Sequence, residues 1–163
     1  MSKKSAKIAA CLRPMPSAVV SCRDVNGEEN ALVVGYCCNC SFNPPMVMVG
    51  IVPSRYSYHM IKNSGCFVVN LPSPANKEMV DYMGSHSRRD GDKLAACNVN
   101  TIPGEKVAAP VLTDCPISIE CTVVDSIMTG SHEMFVGRIE YVHADEELLK
   151  EDGSIDFAKA ELL

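Results

Sequence analysis

No stretch of this 163-residue sequence combines the length and apolarity that a membrane-crossing helix needs. There is no G-x-G-x-x-G turn, and helix-like segments do not alternate regularly with strand-like ones, which excludes a Rossmann dinucleotide fold. Internal repeats and low-complexity linkers are also absent, so residues 1–163 are expected to form a single domain. There is no basic excess. The formal net charge is −5, which argues against nucleic-acid binding. The basic start, with Lys3, Lys4, Lys7 and Arg13, is short, and Ile8–Leu12 is too weakly apolar for a secretory signal. A cytoplasmic protein with no membrane association is expected.

Cysteine is plentiful. Nine are present, an odd number that fits poorly with a paired extracellular framework. Cys66, Cys115 and Cys121 sit in apolar surroundings and read as small core residues. The cluster Cys37-Cys38-Asn39-Cys40 reads as a loop with free thiols. Zinc normally needs a second ligand pair at defined spacing, none follows, and four scattered histidines do not supply one. No metal site is expected. Nine free thiols suit a reducing compartment.

The remaining pattern is mostly strand. Ser17–Cys22 reads as a strand ending near an Asn26-Gly27 turn, with Ala31–Tyr36 as the next. Met46–Val52 is an unbroken apolar run, expected to be a strand buried on both faces. Ser57–Ser64 is expected to be a short helix capped by Ser57 and ended by Gly65. Cys66–Leu71 returns as a strand. A second helix begins with Ser73 as cap and Pro74 at its first position, ends before Gly84, and buries Met79, Val80 and Met83. Residues 85–110 read as a long irregular excursion. Ile117–Val123 alternates as a half-buried strand, Ser126–Ser131 reads as a connection, and Met134–Val142 as the last long strand. Asp145–Leu149 suits a helical turn. The sum is a mainly antiparallel β-barrel with a few short helices.

The segment with the most chemistry is Asn43–Tyr58. A Pro-Pro corner opens the apolar run, Pro53 stops it, and Ser54, Arg55 and Ser57 follow where the chain enters a helix. Free backbone N–H groups at a helix start, two hydroxyls and a guanidinium fork suit a phosphate. The same pattern also fits a strand-to-helix turn with a solvated arginine.

An ordered set of segments then carries a resemblance: Asn30–Tyr36, Asn43-Pro44-Pro45, Pro53–Tyr58, Phe67–Pro72, Ser87–Lys93, Cys115-Pro116-Ile117, Gly130–Gly137 and Asp145–Leu149. In this order, from about Pro14 onward, they resemble the flavin reductase-like family with its FMN-binding split barrel, and within it flavoredoxin-type proteins. The resemblance implies a Greek-key split β-barrel, a homodimer, and FMN held without a covalent bond. It aligns Tyr36, Cys37, Cys38 and Asn39 with the segment that contacts the flavin ring. It aligns Arg55 and Ser57 with phosphate ligands and Asn30 with a ribityl or ring contact. Lys93 and His132 match a lysine and a histidine near the isoalloxazine, and both are expected to influence catalysis. Cys37 and Cys38 stand where hydroxyl residues or glycine are common, and Tyr36 where tryptophan is frequent.

What the resemblance implies about activity is a flavoprotein oxidoreductase. Electrons would pass from NADH or NADPH to free flavin, a ferric complex or a redox protein. The alternative is a flavoredoxin-like electron carrier that does not itself oxidise nicotinamide. In either case the flavin does the redox work and the protein binds, orients and tunes it. His59 reads as a surface residue, His86 lies in the irregular excursion, and His143 has no evident role.

Overall fold

The unbroken apolar segments lie at the centre of one antiparallel sheet. In β1 (Ala18–Arg23) the first five side chains are all buried. Val20 faces the barrel interior with Phe67, Val69, Val49 and Phe135. Val19 faces the other way, into a second core with Ala31, Met83, Leu94 and Leu112. A strand covered on both faces needs no polar alternation, so its sequence reads as a continuous apolar run. β5 (Cys66–Leu71) is buried in the same manner.

The structure is a computed structural model that describes residues 2–163. Its other strands are β2 (Glu29–Val34), β3 (Cys37–Ser41), β4 (Met46–Ile51), β6 (Thr101–Pro103), β7 (Pro110–Leu112), β8 (Ile117–Thr129) and β9 (His132–Ala144). Its α-helices are α1 (Tyr56–Ser64), α2 (Lys77–Ser85) and α3 (Lys93–Ala96). Seven strands form one sheet in the order β2-β1-β5-β8-β9-β4-β3, and β6 and β7 form a separate small ribbon. Every pairing is antiparallel. The sheet curls until β2 meets β4, yet the two do not hydrogen-bond. The result is a mainly β split barrel with few short helices, as expected. No helix among the described residues is long and apolar enough to cross a membrane.

Buried polar groups fix the strands against one another. Asn70 is fully buried. Its Nδ2 donates to the Val19 carbonyl and to Ser21 Oγ, each at 2.9 Å. Its Oδ1 accepts from Leu112 N at 3.0 Å and from Ser118 Oγ at 2.8 Å. One amide thus joins β1, β5, β7 and β8. Glu120, also fully buried, accepts from the backbone N–H groups of Glu105, Lys106 and Val107 at 2.8, 2.7 and 2.9 Å and meets His143 Nε2 at 2.6 Å. Burial pushes its carboxyl up, but His143 and the three N–H groups outweigh that and hold it below its ordinary value.

Several expectations are corrected. Cys37–Ser41 is a strand and not a loop, because it pairs with β4 along the sheet edge. Ser126–Thr129 continues β8 rather than connecting two strands, and β8 and β9 run as a long hairpin out to Thr129 and His132. In β4, Met46 and Met48 are only half-buried, so the first part of that strand is covered on one face. Arg55, in extended backbone, is the N-cap of α1, and Ser57 lies inside the helix. At the other end Gly65 adopts a left-handed conformation, φ 71°, and its N–H reaches Ile61 O, the closure that glycine permits. Gly84 lies within α2, its Cα side against Val33. The excursion 85–110 contains α3 and β6 and ends on the first residue of β7.

Candidate functional site

α1 begins where β4 ends, and its first turn faces the start of β2. Ser57 is buried, and its Oγ accepts from Asn30 Nδ2 at 2.9 Å. Asn30 is 1% exposed, and its Oδ1 has no hydrogen-bond partner among the described residues. Both line a cavity of about 380 Å³, together with Arg55, Arg88, Arg89 and Lys93. Asp90 is the one carboxylate on this wall. Arg55 makes no ion pair among the described residues. The first-turn N–H groups of a helix also lack intrahelical partners. The cavity is therefore a concentration of donors and positive charge, open to an oxyanion.

Lys93 is buried at 4% exposure. Asp92 caps α3 by accepting from Ala95 N at 3.1 Å, which turns the next side chain inward. Lys93 Nζ donates to the Met83 carbonyl at 3.1 Å, and no carboxylate pairs with it among the described residues. Burial lowers its pKa, with Arg55 adding to the effect and Cys22 and Cys97 opposing it. Lys93 is thus a buried, incompletely satisfied cation beside Arg55, and it does not line the cavity that holds Tyr36 and His132.

Arg88 and Arg89 lie in the segment Ser87–Lys93 that carries the family resemblance, and the sequence does not single them out as site residues. Ser87 caps their 3-10 turn, accepting from Arg89 N at 3.2 Å, while Ser87 N donates to Asp90 Oδ2 at 3.3 Å. This reciprocal cap in Ser87-Arg88-Arg89-Asp90 is the signal that was available. Arg89 reaches the Ser54 carbonyl at 3.3 Å and lies over the Tyr56 ring. Arg88 lies 3.5 Å from Glu28 and 3.6 Å from Asp92, and its Nε is buried without a partner among the described residues.

The other candidates gather at the far end of β2. Gly35, Tyr36, Cys37, Cys38, His132 and Met134 line a second cavity of about 650 Å³. The Tyr36 and His132 rings meet edge-on, centroids 4.7 Å apart. Ser131 Oγ lies 2.8 Å from His132 Nδ1. A Cβ on Gly50 would fall 2.6 Å from Met134 Sδ and 3.0 Å from Tyr36 Cβ, so a larger residue here would displace the Met134 thioether and crowd Tyr36. Burial pushes the Cys37 thiol up to about 12, with Cys38 adding to it, so it stays protonated at neutral pH. Asn39 is exposed and lines a separate hollow with Cys40 and Phe42. His59 is exposed, and His143 serves Glu120.

Residues 12–158 match the family of the Flavin reductase like domain. The chain belongs to that family. Among solved structures, the flavoredoxin of Desulfovibrio vulgaris superposes on this flavin reductase-like chain with a TM-score of 0.89 and 31% identity, covering 97% of this chain and 85% of that one. A protein of Archaeoglobus fulgidus is 33% identical over 124 residues, 74% of this chain and 70% of its own length. The NADH-dependent FMN reductase of Streptomyces nodosus is 26% identical over 133 residues, 81% of this chain and 71% of that protein. The chain spans about half, 49%, of the length of a further relative in Aeropyrum pernix.

Proposed function

We propose that this flavin reductase-like chain binds FMN, with the phosphate in the cationic cavity and the ring against Tyr36, Cys37 and Cys38. The observation that carries the reading is the cavity pairing an orphaned buried oxygen, Asn30 Oδ1, with the cations Arg55, Arg88, Arg89 and Lys93. A phosphate monoester ending in a polyhydroxyl chain supplies what these groups lack: acceptors for the cations and a hydroxyl donor for Asn30. β2 joins the two cavities. Five residues separate Asn30 from Gly35, about 17 Å of strand, which suits an elongated ligand with a phosphate at one end and a flat ring at the other.

When bound, FMN supplies the hydride and electron chemistry. The chain's own residues hold and orient it. Arg55, Ser57 and Lys93 fix the phosphate, Asn30 fixes the ribityl arm, and His132 presents an imidazole at the ring end. The activity this supports is a flavin-dependent oxidoreductase that takes electrons from NADH or NADPH and passes them to free flavin, a ferric complex or a redox protein. The similarity to a flavoredoxin favours a second reading, an electron carrier reduced by another protein. Anaerobic stopped-flow mixing with NADH and NADPH separates the two, since only the first reading expects reduction by nucleotide.

Binding is tested by the quenching of flavin fluorescence. FMN is expected to bind and riboflavin, lacking the phosphate, to bind far more weakly. Equal affinity for both would sink the phosphate assignment. Arg55→Ala is expected to weaken FMN by about 1–2 kcal/mol, a charge-assisted contact discounted for the exposure of Arg55. An unchanged affinity would remove Arg55 from the site.

A homodimer belongs to the same proposal. Ile127, Met128, Tyr141 and Val142, all on the β8–β9 hairpin, are exposed, and so is Phe42 beyond β3. Exposed apolar surface of this kind supports burial against a second copy. Sedimentation of the FMN-loaded chain at micromolar concentration is expected to give a dimer, and a monomer alone would contradict it.

A further inference from the structure

The second cavity has a chemistry of its own. None of its lining residues is Asp, Glu, Lys or Arg, in contrast to the four cations of the first cavity. Its wall on one side is Tyr36, His132 and Met134, and on the other the strap 10–16, which has no helix or strand and whose one cation, Arg13, is exposed and does not line the cavity. Met15 seats the strap, with its Cε 3.4 Å from where a Gly35 Cβ would stand. Leu12, 86% exposed, and Pro14 and Pro16 complete an apolar rim.

Such a lining rejects charge. An ionic ligand would lose its hydration here and find no counter-ion. A flat uncharged ring finds aromatic edges on Tyr36 and His132 and the adaptable thioethers of Met15 and Met134. It also finds a polar anchor. Ser131 Oγ lies 2.8 Å from His132 Nδ1, and in the tautomer where that hydroxyl donates, the ring proton sits on Nε2, which no other described group engages. That N–H suits a carbonyl oxygen. The volume of about 650 Å³ is within the range of small-molecule sites.

We propose that this cavity, closed on one side by the 10–16 strap, binds a small uncharged quinone, with Tyr36 and His132 against its ring and His132 donating to a carbonyl oxygen. That this ligand is the electron acceptor rests on the flavin reading. The net reaction is then balanced as hydride from a reduced nicotinamide plus one solvent proton, added to the quinone to give the hydroquinone and the oxidised nicotinamide.

The test uses the full chain and duroquinone, whose ring has no free position for thiol addition. Cys11 and Cys38 are exposed and line the cavity, so their alkylation by iodoacetamide, read by mass spectrometry, reports occupancy. Saturating duroquinone is expected to slow both by about fivefold or more, as mass action gives at four-fifths occupancy. In the FMN-free chain both thiols report; with FMN loaded, its ring against Cys38, Cys11 alone is read, and duroquinone should still protect it. The carboxylate 2,4,6-trimethylbenzoate, of similar size, should give no protection. In the FMN-free chain Met15→Glu should raise the duroquinone Kd about tenfold, equivalent to about 1.4 kcal/mol. No protection, equal protection by the benzoate, wild-type affinity in Met15→Glu, or protection that FMN abolishes would each overturn the proposal. FMN quenching is measured on the same samples. Quenching without protection sinks the quinone site alone, and protection without quenching sinks the flavin reading and keeps the ring site.

Discussion

Glu120→Ala is expected to cost the fold about 3–5 kcal/mol, the range for removing one partner of a buried charged cluster. Three backbone N–H groups, those of Glu105, Lys106 and Val107, and the His143 ring converge on this carboxylate. Alanine leaves all of them without an acceptor in a place water reaches poorly. Urea denaturation checks the magnitude. Amide exchange checks the location, since residues 104–107 should lose protection first. A variant within 1 kcal/mol of the wild type would show that water replaces the carboxylate. The pH dependence follows from the direction of the shift. Folded Glu120 titrates below its ordinary value of 4.5. As pH falls below that value, the unfolded chain takes up the proton before the folded chain does. The stabilisation is therefore complete above the ordinary value and is lost as pH falls through the folded one. Glu133 acts in the same direction, pulled down to about 2 by Ser126 and Tyr58, then by Lys62. Wild-type stability should thus fall more steeply in acid than that of Glu120→Gln.

The sequence was legible where local pattern and tertiary environment agree. β1 and β5 are buried on both faces, and their apolar runs say so directly. Arg55 and Ser57 were legible as neighbours at one strand-to-helix turn because strand end, proline and helix start are all local features, and both line the cationic cavity. Cys37–Ser41 was not, since an edge strand needs only one partner and its exposed Cys38, Asn39 and Cys40 carry no alternation. The outer half of β8 was missed for a related reason. Val124, Asp125, Ile127, Met128 and Thr129 are all exposed, and their strand state comes from pairing with β9. Glu120 and His143 are 23 residues apart in sequence, so nothing local announces their contact. Lys93 is the instructive case. The resemblance sets it near the flavin ring, but Asp92 caps α3 and the lysine is left buried beside Arg55, on the cationic cavity.

That burial makes opposite predictions for stability and for binding. Lys93 is removed from water with one backbone hydrogen bond and, among the described residues, no counter-ion. Its charged form is disfavoured in the folded FMN-free chain, which is why its pKa lies below the ordinary 10.5. In the window between that lowered value and 10.5, the unfolded chain binds more protons than the folded one, so stability rises with pH there. Below the window the full penalty applies. Lys93→Met, close in volume and uncharged, should therefore raise the melting temperature of the FMN-free protein at pH 7, and the gap from wild type should narrow by pH 10. The same substitution should weaken FMN by about 1.5–3 kcal/mol, roughly 10- to 150-fold, because a phosphate is the acceptor this ammonium lacks. FMN affinity of the wild type should fall as pH rises through the lowered lysine pKa, and that slope should vanish in Lys93→Met. Calorimetry in two buffers of different ionisation enthalpy reads the proton taken up. A variant that melts earlier and binds FMN as well as wild type would make Lys93 an ordinary structural residue. The converse pair, a more stable chain that has lost its ligand, is what a site kept at the expense of the fold should show.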